Sequence, residues 1–446
     1  MKKILIPKEI VTADSQNRIL RNTAIIIEDG LIKEFIPKNE IDKIGGDFEK
    51  YDFQNQTLIP GFVQTHVHLC QTLFRGFADD LELLDWLQKR IFPFENSHDK
   101  NSLKISAQLG INDLLTGGTT TFLDMGTLHH QEIIFEELIR SKVRAFAGNC
   151  MIDQNELYPK FCESTEWNLK STFEWAKEFH NSSNGKVKFG FAPRFVLSCS
   201  EKLLVETKEM MKDFEHSIYH THSSENEKEV ETVRRMTGKD NVEYFDSIGV
   251  LDDHTVLAHC IHLSDSEIDL LKNNNSRVAH CPSSNLKLGS GIANIPKLLE
   301  NKISVSLGAD GAPCNNSLSV FREMNLAALI QKPIHGPTSM DALKVFRLAT
   351  IDGAKALHLE NEIGSIEIGK KADLVLLNLE NPDQPIQLSD ENIYSAIVYS
   401  ANKENVNAVF VEGELLVENG KTIFYDEDEL LSQAKSELSK LIERAN

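Results

Sequence analysis

Residues 58–68 read LIPGFVQTHVH, a β-forming apolar run that ends in two histidines one position apart. Side chains at positions i and i+2 of a strand lie on the same face, so His66 and His68 can offer two imidazole nitrogens to one cation about 2 Å away. By itself a His-x-His pair is a weak signal, as typical of a solvated or core pair as of a metal site. The rest of the chain has to decide between these interpretations.

Similar short apolar runs recur along the chain, separated by segments with helical periodicity. Eight candidate strands lie near 58–65, 119–124, 143–149, 186–193, 217–222, 254–260, 276–281 and 303–310. Amphipathic helices between them include 102–116, 131–141, 201–213, 227–237, 265–274 and 318–330. This alternation predicts an α/β fold in which residues 58–361 form a (β/α)₈ TIM-type barrel.

The two ends of the chain have a different pattern. Residues 1–57 alternate with the strand period around a hairpin turn at Asp29-Gly30, and residues 372–418 alternate in the same way. Residues 426–445 keep a helical stripe of apolar positions. We therefore expect residues 1–57 and 362–446 to form one small composite β-sandwich domain with a C-terminal helix.

The composition and net charge of the chain limit the kinds of molecule that it is expected to bind. The 446-residue chain carries a formal net charge of −20, which would repel nucleic acid and anionic membranes. No stretch approaches the roughly 20 apolar residues that a membrane span needs. Seven widely spaced cysteines without a C-x-x-C pair are typical of reduced thiols. We expect a cytoplasmic protein that acts on a small molecule, without nucleic acid or membrane partners.

Metal-capable side chains stand at the ends of further candidate strands. His220-Thr221-His222 ends the fifth strand, His259 the sixth and Asp310 the eighth. The C-terminal strand ends of such a barrel meet at one face, where its active sites lie. Three imidazoles and a carboxylate form a site suited to Zn²⁺ or Fe²⁺. A cation there lowers the pKa of a bound water, which predicts metal-dependent hydrolysis.

Hydrolysis also needs a group that carries protons. Glu225 follows His222 by three positions, on the loop just beyond the same strand end. Its alternative role is that of an acid favoured by the dipole of the helix that follows. We expect Glu225 to be catalytic.

Several longer phrases carry a resemblance to a known family. They are PGFVQTHVHLCQTLFRG, HTHSSE, LAHCIHL, AHCPSSNLKLGSGI, SLGADGAPCNNSLSVFREM and IGSIEIGKKADLVLL. With them the chain resembles the amidohydrolase superfamily, in the group of mononuclear nucleoside deaminases and triazine hydrolases. Within that group it is similar to deaminases of S-adenosylhomocysteine, 5′-methylthioadenosine and 5′-deoxyadenosine. The resemblance implies hydrolysis of a 5′-modified adenosine to its inosine analogue and ammonia.

The resemblance also implies roles for the residues of the site. The implied metal ligands are His66, His68, His222 and Asp310. Glu225 would then move protons to and from the purine, His259 would orient the attacking water, and Asp310 would accept a proton from that water. No lysine ends the fourth strand as a bridging ligand, which favours one divalent metal per chain, namely zinc, with iron and manganese as alternatives.

For the substrate, the resemblance implies that Glu95 accepts hydrogen bonds from the ribose hydroxyls, although an exposed loop acid is its alternative. Arg194 stands where homocysteine-type enzymes have histidine, and it faces the barrel mouth. Asn149 is expected to contact the substrate from the end of the third strand. That pattern offers an arginine there for an amino-acid carboxylate, so asparagine favours a short uncharged 5′ substituent over S-adenosylhomocysteine. Trp86 either stacks on the base or packs its helix.

Other interpretations stay open at this point. Within the same superfamily the alternatives are a deaminase of a free base, such as guanine or an oxidised purine, and a triazine-type hydrolase. A protein of another class would bind metal and ligand in the barrel without turnover. The resemblance also makes a homo-oligomer the expected assembly.

Overall fold

The computed structural model describes residues 2–45, 47–380 and 388–446. The chain divides into two compact units. The first comprises Met1–Val63, Asn112–Thr121 and Ser319–Tyr425, and the second comprises Gln64–Ile111, Phe122–Leu318 and Asp426–Asn446.

The strands follow the apolar runs of the sequence. In chain order they are β1 (Lys2–Val11), β2 (Ile19–Arg21), β3 (Thr23–Glu28), β4 (Leu31–Pro37), β5 (Glu49–Pro60), β6 (Phe62–His68), β7 (Thr119–Asp124), β8 (Arg144–Ala147), β9 (Cys150–Met151), β10 (Val187–Pro193), β11 (Ile218–Ser223), β12 (Thr255–His259), β13 (Arg277–His280), β14 (Ser304–Leu307), β15 (Asp310–Gly311), β16 (Leu374–Leu377), β17 (Val406–Val411), β18 (Glu414–Glu418) and β19 (Lys421–Thr422).

The α-helices fill the intervals between the strands. They are α1 (Leu83–Trp86), α2 (Phe92–Asn96), α3 (Lys100–Thr116), α4 (Gln131–Ser141), α5 (Thr165–Phe179), α6 (Ser182–Gly185), α7 (Glu201–Met210), α8 (Glu227–Thr237), α9 (Asn241–Ser247), α10 (Asp265–Asn273), α11 (Pro282–Lys287), α12 (Ile295–Glu300), α13 (Ala312–Asn315), α14 (Val320–Leu329), α15 (Lys332–His335), α16 (Ala342–Leu348), α17 (Ile351–Ala356), α18 (Ile393–Ser395) and α19 (Glu427–Ala445). Short 3₁₀ or π segments cover Lys38–Lys43, Leu69–Phe74, Leu87–Ile91, Val196–Ser198, Met211–Asp213, Ala396–Ser400 and Lys403–Asn405.

In the first unit, both ends of the chain contribute to one sheet. The strand order is β19-β18-β17-β16-β5-β1-β3-β4, with β2 paired to β1. Its buried apolar side chains form a core cluster that joins both ends of the chain, with Leu5, Ile25 and Leu58 beside Leu374 and Phe410. The shared sheet follows from the alternating pattern of the two termini, while the expected sandwich arrangement stays a prediction.

The other sheet is parallel and has the order β14-β13-β12-β11-β10-β8-β7-β6-β15, and β9 pairs with β10. The strands β14 and β15 belong to the same stretch of chain, yet they lie at opposite ends of this order. In β15, Asp310 pairs with Val67 and Gly311 with His68 of β6. The sheet therefore closes on itself, as the predicted TIM-type barrel requires.

Some boundaries differ from the sequence-based ones. The predicted strand 58–65 is split, because Leu58 and Ile59 pair with β16 in the terminal sheet and the barrel strand begins at Phe62. Residues 319–361 group with the first unit, and α19 groups with the second. In the second unit the guanidinium of Arg444 in α19 bonds to Ser97 O at 2.7 Å and Ser102 Oγ at 3.0 Å. These contacts with the chain around α2 and α3 explain why α19 does not group with the terminal sheet.

Across residues 2–45, 47–380 and 388–446, every helix is too short or too polar to cross a membrane.

Candidate functional site

Four buried side chains converge where the barrel strands end. His66, His68, His222 and Asp310 each present one ligand atom, and these atoms all lie within 4.8 Å of one another. The Nε2 atoms of His66 and His68 lie 3.3 and 3.4 Å from Asp310 Oδ1. His68 Nε2 lies 3.3 Å from His222 Nε2. The strand register produces this convergence, since β15 places Asp310 beside Val67, between the two histidines of β6.

The spacing of these atoms fits a metal ion. Tetrahedral ligands about 2 Å from a zinc ion lie about 3.3 Å from one another, which matches the observed separations. His66 Nε2 is buried and has no hydrogen-bond partner among the described residues. Burial lowers the pKa of His66 and holds the pKa of His68 and of His222 well below its usual value. The imidazoles are therefore neutral, which is the form that binds metals.

Two groups of the barrel orient these ligands. His222 Nδ1 lies 2.7 Å from the main-chain oxygen of Arg194, so it donates there and Nε2 faces the cluster. The Ser284 hydroxyl donates to Asp310 Oδ2 at 2.6 Å, which leaves Oδ1 facing the two histidines of β6. Such partners fix the tautomer and direction of a metal ligand.

Backbone strain marks two positions of the site. His259 has φ 72° and Asp310 has φ 61°, both in the left-handed region that residues other than glycine seldom adopt. Residues held in such conformations concentrate at functional sites, where surrounding packing compensates their cost. The strain aims both side chains from their strand ends toward the same cluster.

Glu225 and His259 lie together beside the four donors. Glu225 Oε2 is 3.5 Å from His259 Nε2, which in turn is 4.0 Å from Asp310 Oδ2. Burial, together with the negative charge of Asp310, raises the pKa of Glu225 well above its usual value. On its far side, His259 Nδ1 lies 2.9 Å from Asn285 Oδ1. The arrangement provides a buried carboxyl group that can give up and take back a proton.

A cavity of about 350 Å³ opens onto this cluster. Its lining comprises His68, Gln71, Leu83, Trp86, Leu87, Arg194, Phe195, His222, Glu225, His259 and Asp310. The Trp86 indole is 4% exposed, and its Nε1 has no hydrogen-bond partner among the described residues. The cavity therefore has an apolar wall opposite the polar cluster.

Glu95 lies in α2, behind the residues that line the cavity. Arg194 Nη1 contacts Glu95 Oε2 at 2.5 Å and Nη2 contacts Oε1 at 3.3 Å, and the Gln71 amide donates to Oε1 at 2.8 Å. The Arg194 guanidinium also lies over the Phe92 ring, 5.0 Å from its centroid. Glu95 is thus a buried, paired carboxylate rather than the exposed loop acid that was its alternative. Arg194 and Gln71 stand in the lining next to it.

Asn149 does not belong to this cavity. It is fully buried, and the Thr172 hydroxyl of α5 donates to its Oδ1 at 2.6 Å. The next residue, Cys150, lies instead beside Arg194, with Sγ 3.5 Å from Nη1. Because neighbouring residues of an extended chain point to opposite sides, Asn149 faces the helix layer. The expectation that Asn149 contacts the substrate is corrected on this point.

The sequence-based reasoning missed the apolar lining residues Leu83, Leu87 and Phe195 and the polar residues Gln71, Ser284 and Asn285. Ser284 and Asn285 lie in the phrase AHCPSSNLKLGSGI, which served only as a mark of resemblance. Their position just after the seventh barrel strand was a usable signal, because strand-end loops carry the site in such barrels. Gln71 follows His68 by three positions, which was a similar signal.

Several known proteins are similar to this chain over nearly its full length. A 5′-deoxyadenosine deaminase of Methanobrevibacter smithii is 36% identical, over 96% of this chain and 99% of its own length. A 5-methylthioadenosine/S-adenosylhomocysteine deaminase of Thermodesulfovibrio yellowstonii is 37% identical, over 95% of each chain. The crystal structure of an adenosine deaminase from Xanthomonas campestris with bound zinc is 26% identical, with a TM-score of 0.91 over 99% of this chain and 98% of that one.

A family profile points to the same group. The profile described as the amidohydrolase family matches residues 57–416, which include all the barrel strands and the four converging donors. On this match and on the full-length similarity to the two deaminases, the chain belongs to the amidohydrolase family.

Proposed function

We propose that the protein is a metal-dependent hydrolytic deaminase that converts a 5′-modified adenosine and water to the inosine analogue and ammonia. The observation that carries this proposal is the convergence of His66, His68, His222 and Asp310 with a buried Glu225 at its side. The names of the two relatives that match this chain over nearly its full length support the same reaction.

His66, His68, His222 and Asp310 would hold one divalent cation, which we propose to be zinc, with iron or manganese as alternatives. The bound zinc of the similar adenosine deaminase structure supports that choice. When bound, such a cation supplies the Lewis acidity that makes hydroxide available near neutral pH.

The chain's own residues then handle the protons. Glu225, whose pKa burial raises well above its usual value, donates a proton to a purine ring nitrogen as water adds at C6. Asp310 accepts a proton from the attacking water, and His259 orients that water from its position between Glu225 and Asp310. When the carbon–nitrogen bond breaks, the proton that Asp310 took from the water passes to the departing amine, and Glu225 takes up the proton of the C6 hydroxyl. The exocyclic amine leaves as ammonia, and the water oxygen remains on C6.

For the sugar, Glu95 would accept a hydrogen bond from a ribose hydroxyl past Gln71 and Arg194. A carboxylate offers about four acceptor positions. Glu95 Oε1 accepts from Arg194, from Gln71 and, at 3.9 Å, from the Cys70 thiol, whereas Oε2 accepts from Arg194 Nη1 only among the described residues. One position therefore remains for the substrate. Free N–H groups of Arg194, in the cavity lining, would donate to a hydroxyl oxygen.

The charged side chains that line the cavity favour an uncharged 5′ substituent. Among the described lining residues, Arg194 carries the permanent positive charge, and its guanidinium is already paired with Glu95. An amino-acid carboxylate would therefore lack an unpaired guanidinium there, while Leu83 and Trp86 offer an apolar wall. We rank 5′-deoxyadenosine, 5′-methylthioadenosine and adenosine ahead of S-adenosylhomocysteine as substrates.

The test is ammonia release, followed with the accompanying ultraviolet change, from zinc-loaded protein. The panel contains adenosine, 5′-deoxyadenosine, 5′-methylthioadenosine, S-adenosylhomocysteine, adenine and guanine. We expect the highest kcat/KM for an adenosine with a short uncharged 5′ group. Turnover of a free base alone would refute the nucleoside assignment and favour the base-deaminase alternative, whereas preferred turnover of S-adenosylhomocysteine would refute the ranking by charge.

Assembly and location stay predictions of the sequence. Light scattering coupled to size-exclusion chromatography tests the expected homo-oligomer, and fractionation of source cells tests the expected cytoplasmic location.

A further inference from the structure

A fifth histidine, His220, lies next to the four donors without being one of them. It stands two positions before His222 in β11, so both side chains lie on the same face of that strand. It is fully buried. Its Nε2 lies 2.8 Å from Nδ1 of His66, and the two rings meet edge to face with centroids 4.9 Å apart.

Two ring nitrogens at this distance share one proton. Geometry alone allows either histidine to donate the hydrogen bond, but the metal site of the proposed function decides which of them does. His66 Nε2 points to Asp310 Oδ1, at 3.3 Å, and needs a free lone pair to bind a cation. The proton of the neutral His66 ring then sits on Nδ1 and is donated to His220 Nε2.

We infer that His220 is a positioning residue of the metal centre, which holds His66 in the tautomer and ring orientation that present Nε2 to the cation. This inference rests on the metal site of the proposed function. His220 acts through His66 alone, since its own Nε2 is occupied by the hydrogen bond. Its Nδ1 has no hydrogen-bond partner among the described residues, so the protein pairs this ring only on the side that faces His66.

The other ligands lack an equivalent of this arrangement. His222 donates its Nδ1 proton to the main-chain oxygen of Arg194, which a side-chain substitution cannot remove. For His68, Nδ1 has no partner among the described residues. The orientation of His66 therefore depends on one removable side chain.

The test measures the affinity of the metal-free protein for Zn²⁺ alone, by competition with a chromogenic chelator. His220→Leu removes the acceptor, and His220→Gln returns an oxygen near the place of Nε2. The matched control is His280→Leu, because His280 also ends a barrel strand, is fully buried and has no hydrogen-bond partner for either ring nitrogen among the described residues. Thermal unfolding of each metal-free variant reports on the fold separately.

We expect His220→Leu to weaken zinc binding about 10- to 100-fold, with His220→Gln and His280→Leu within about threefold of wild type. Wild-type affinity in His220→Leu would overturn the inference, as would an equal loss in His280→Leu. Wild-type protein that bound no zinc would refute the metal centre of the proposed function itself, so the two failures are distinguishable.

Should His220→Leu fail to fold, neutron diffraction of the zinc-loaded wild-type crystal decides the question. A hydrogen on His66 Nδ1 directed at His220 supports the inference. A hydrogen on His220 Nε2 directed at His66 overturns it.

Discussion

Replacing Arg194 by methionine should damage both the stability and the substrate affinity of the protein. The Arg194 and Glu95 side chains are 3% and 1% exposed, and they share contacts of 2.5 and 3.3 Å. Methionine fills similar space but leaves the Glu95 carboxylate buried with two uncharged donors, the Gln71 amide at 2.8 Å and the Cys70 thiol at 3.9 Å. Breaking a buried pair by removing one partner costs about 3–5 kcal/mol, because an uncompensated charge stays behind.

A double-mutant cycle separates this cost from simple loss of packing. Wild type, Arg194→Met, Glu95→Gln and the double variant are unfolded in guanidinium chloride as metal-free proteins. We expect Arg194→Met to lose about 3–5 kcal/mol and the double variant to recover about 1–3 kcal/mol of that loss, since the amide that replaces the Glu95 carboxylate carries no charge. The control is Lys202→Met, whose partner Glu166 lies 2.9 Å away in a pair that is 53% and 74% exposed. That variant should lose little stability, because solvent screens an exposed pair.

The same variants report on the substrate. If the pair forms the polar end of the cavity, Arg194→Met should raise KM for 5′-deoxyadenosine about tenfold or more while kcat changes less. A loss of stability below about 1 kcal/mol, or single effects that simply add in the double variant, would refute the reasoning that the pair is energetically coupled.

Three further predictions concern other residues. Glu225→Gln should lower kcat by about two to four orders of magnitude while elemental analysis still finds about one zinc per chain; retained turnover would exclude it as the proton carrier. Ser284→Ala removes the hydrogen bond to Asp310 Oδ2 and should lower zinc affinity about tenfold in the chelator assay. An unchanged affinity would show that Asp310 binds zinc without this hydrogen bond. Burial lowers the pKa of His98 from 6.5 to about 4. Between these two pH values the unfolded chain therefore binds a proton at His98 that the native protein does not bind. His98 alone should therefore contribute a loss of about 3 kcal/mol between pH 6.5 and 4 in urea unfolding, and the pH dependence of His98→Gln should be weaker by that amount.

Periodicity located the barrel well because each strand is a short apolar run bounded by polar residues. The predicted strand 119–124 coincides with β7, and the predicted strand 217–222 is shifted by one residue from β11. Periodicity gave the wrong strand boundary where one extended run contributes residues to two sheets. Leu58 and Phe62 look alike in sequence, yet the first pairs in the terminal sheet and the second begins the barrel. Which neighbours a strand finds is a tertiary choice that periodicity does not contain.

The metal donors were predictable for a related reason. A His-x-His pair fixes two ligands on one strand face, and the closed barrel fixes where the remaining strand ends meet. Asn149 was misplaced because a residue beyond the end of β8 turns to either side, and the sequence does not say which. The positioning contacts of Ser284 and Asn285 depend on the path of a short helix after β13, so they became visible only in three dimensions.

Arg194 contributes to the metal centre and to the substrate site through different atoms. Its side chain pairs with Glu95 at the sugar end of the proposed site, while its main-chain oxygen holds His222. A main-chain acceptor persists whatever side chain stands at that position, so substrate preference can change there without loosening the metal centre. Arg194→Met should therefore keep zinc affinity within about threefold of wild type, although its KM rises. A parallel loss of zinc in that variant would mean that the guanidinium, and not the peptide oxygen, keeps the end of β10 in place beside His222.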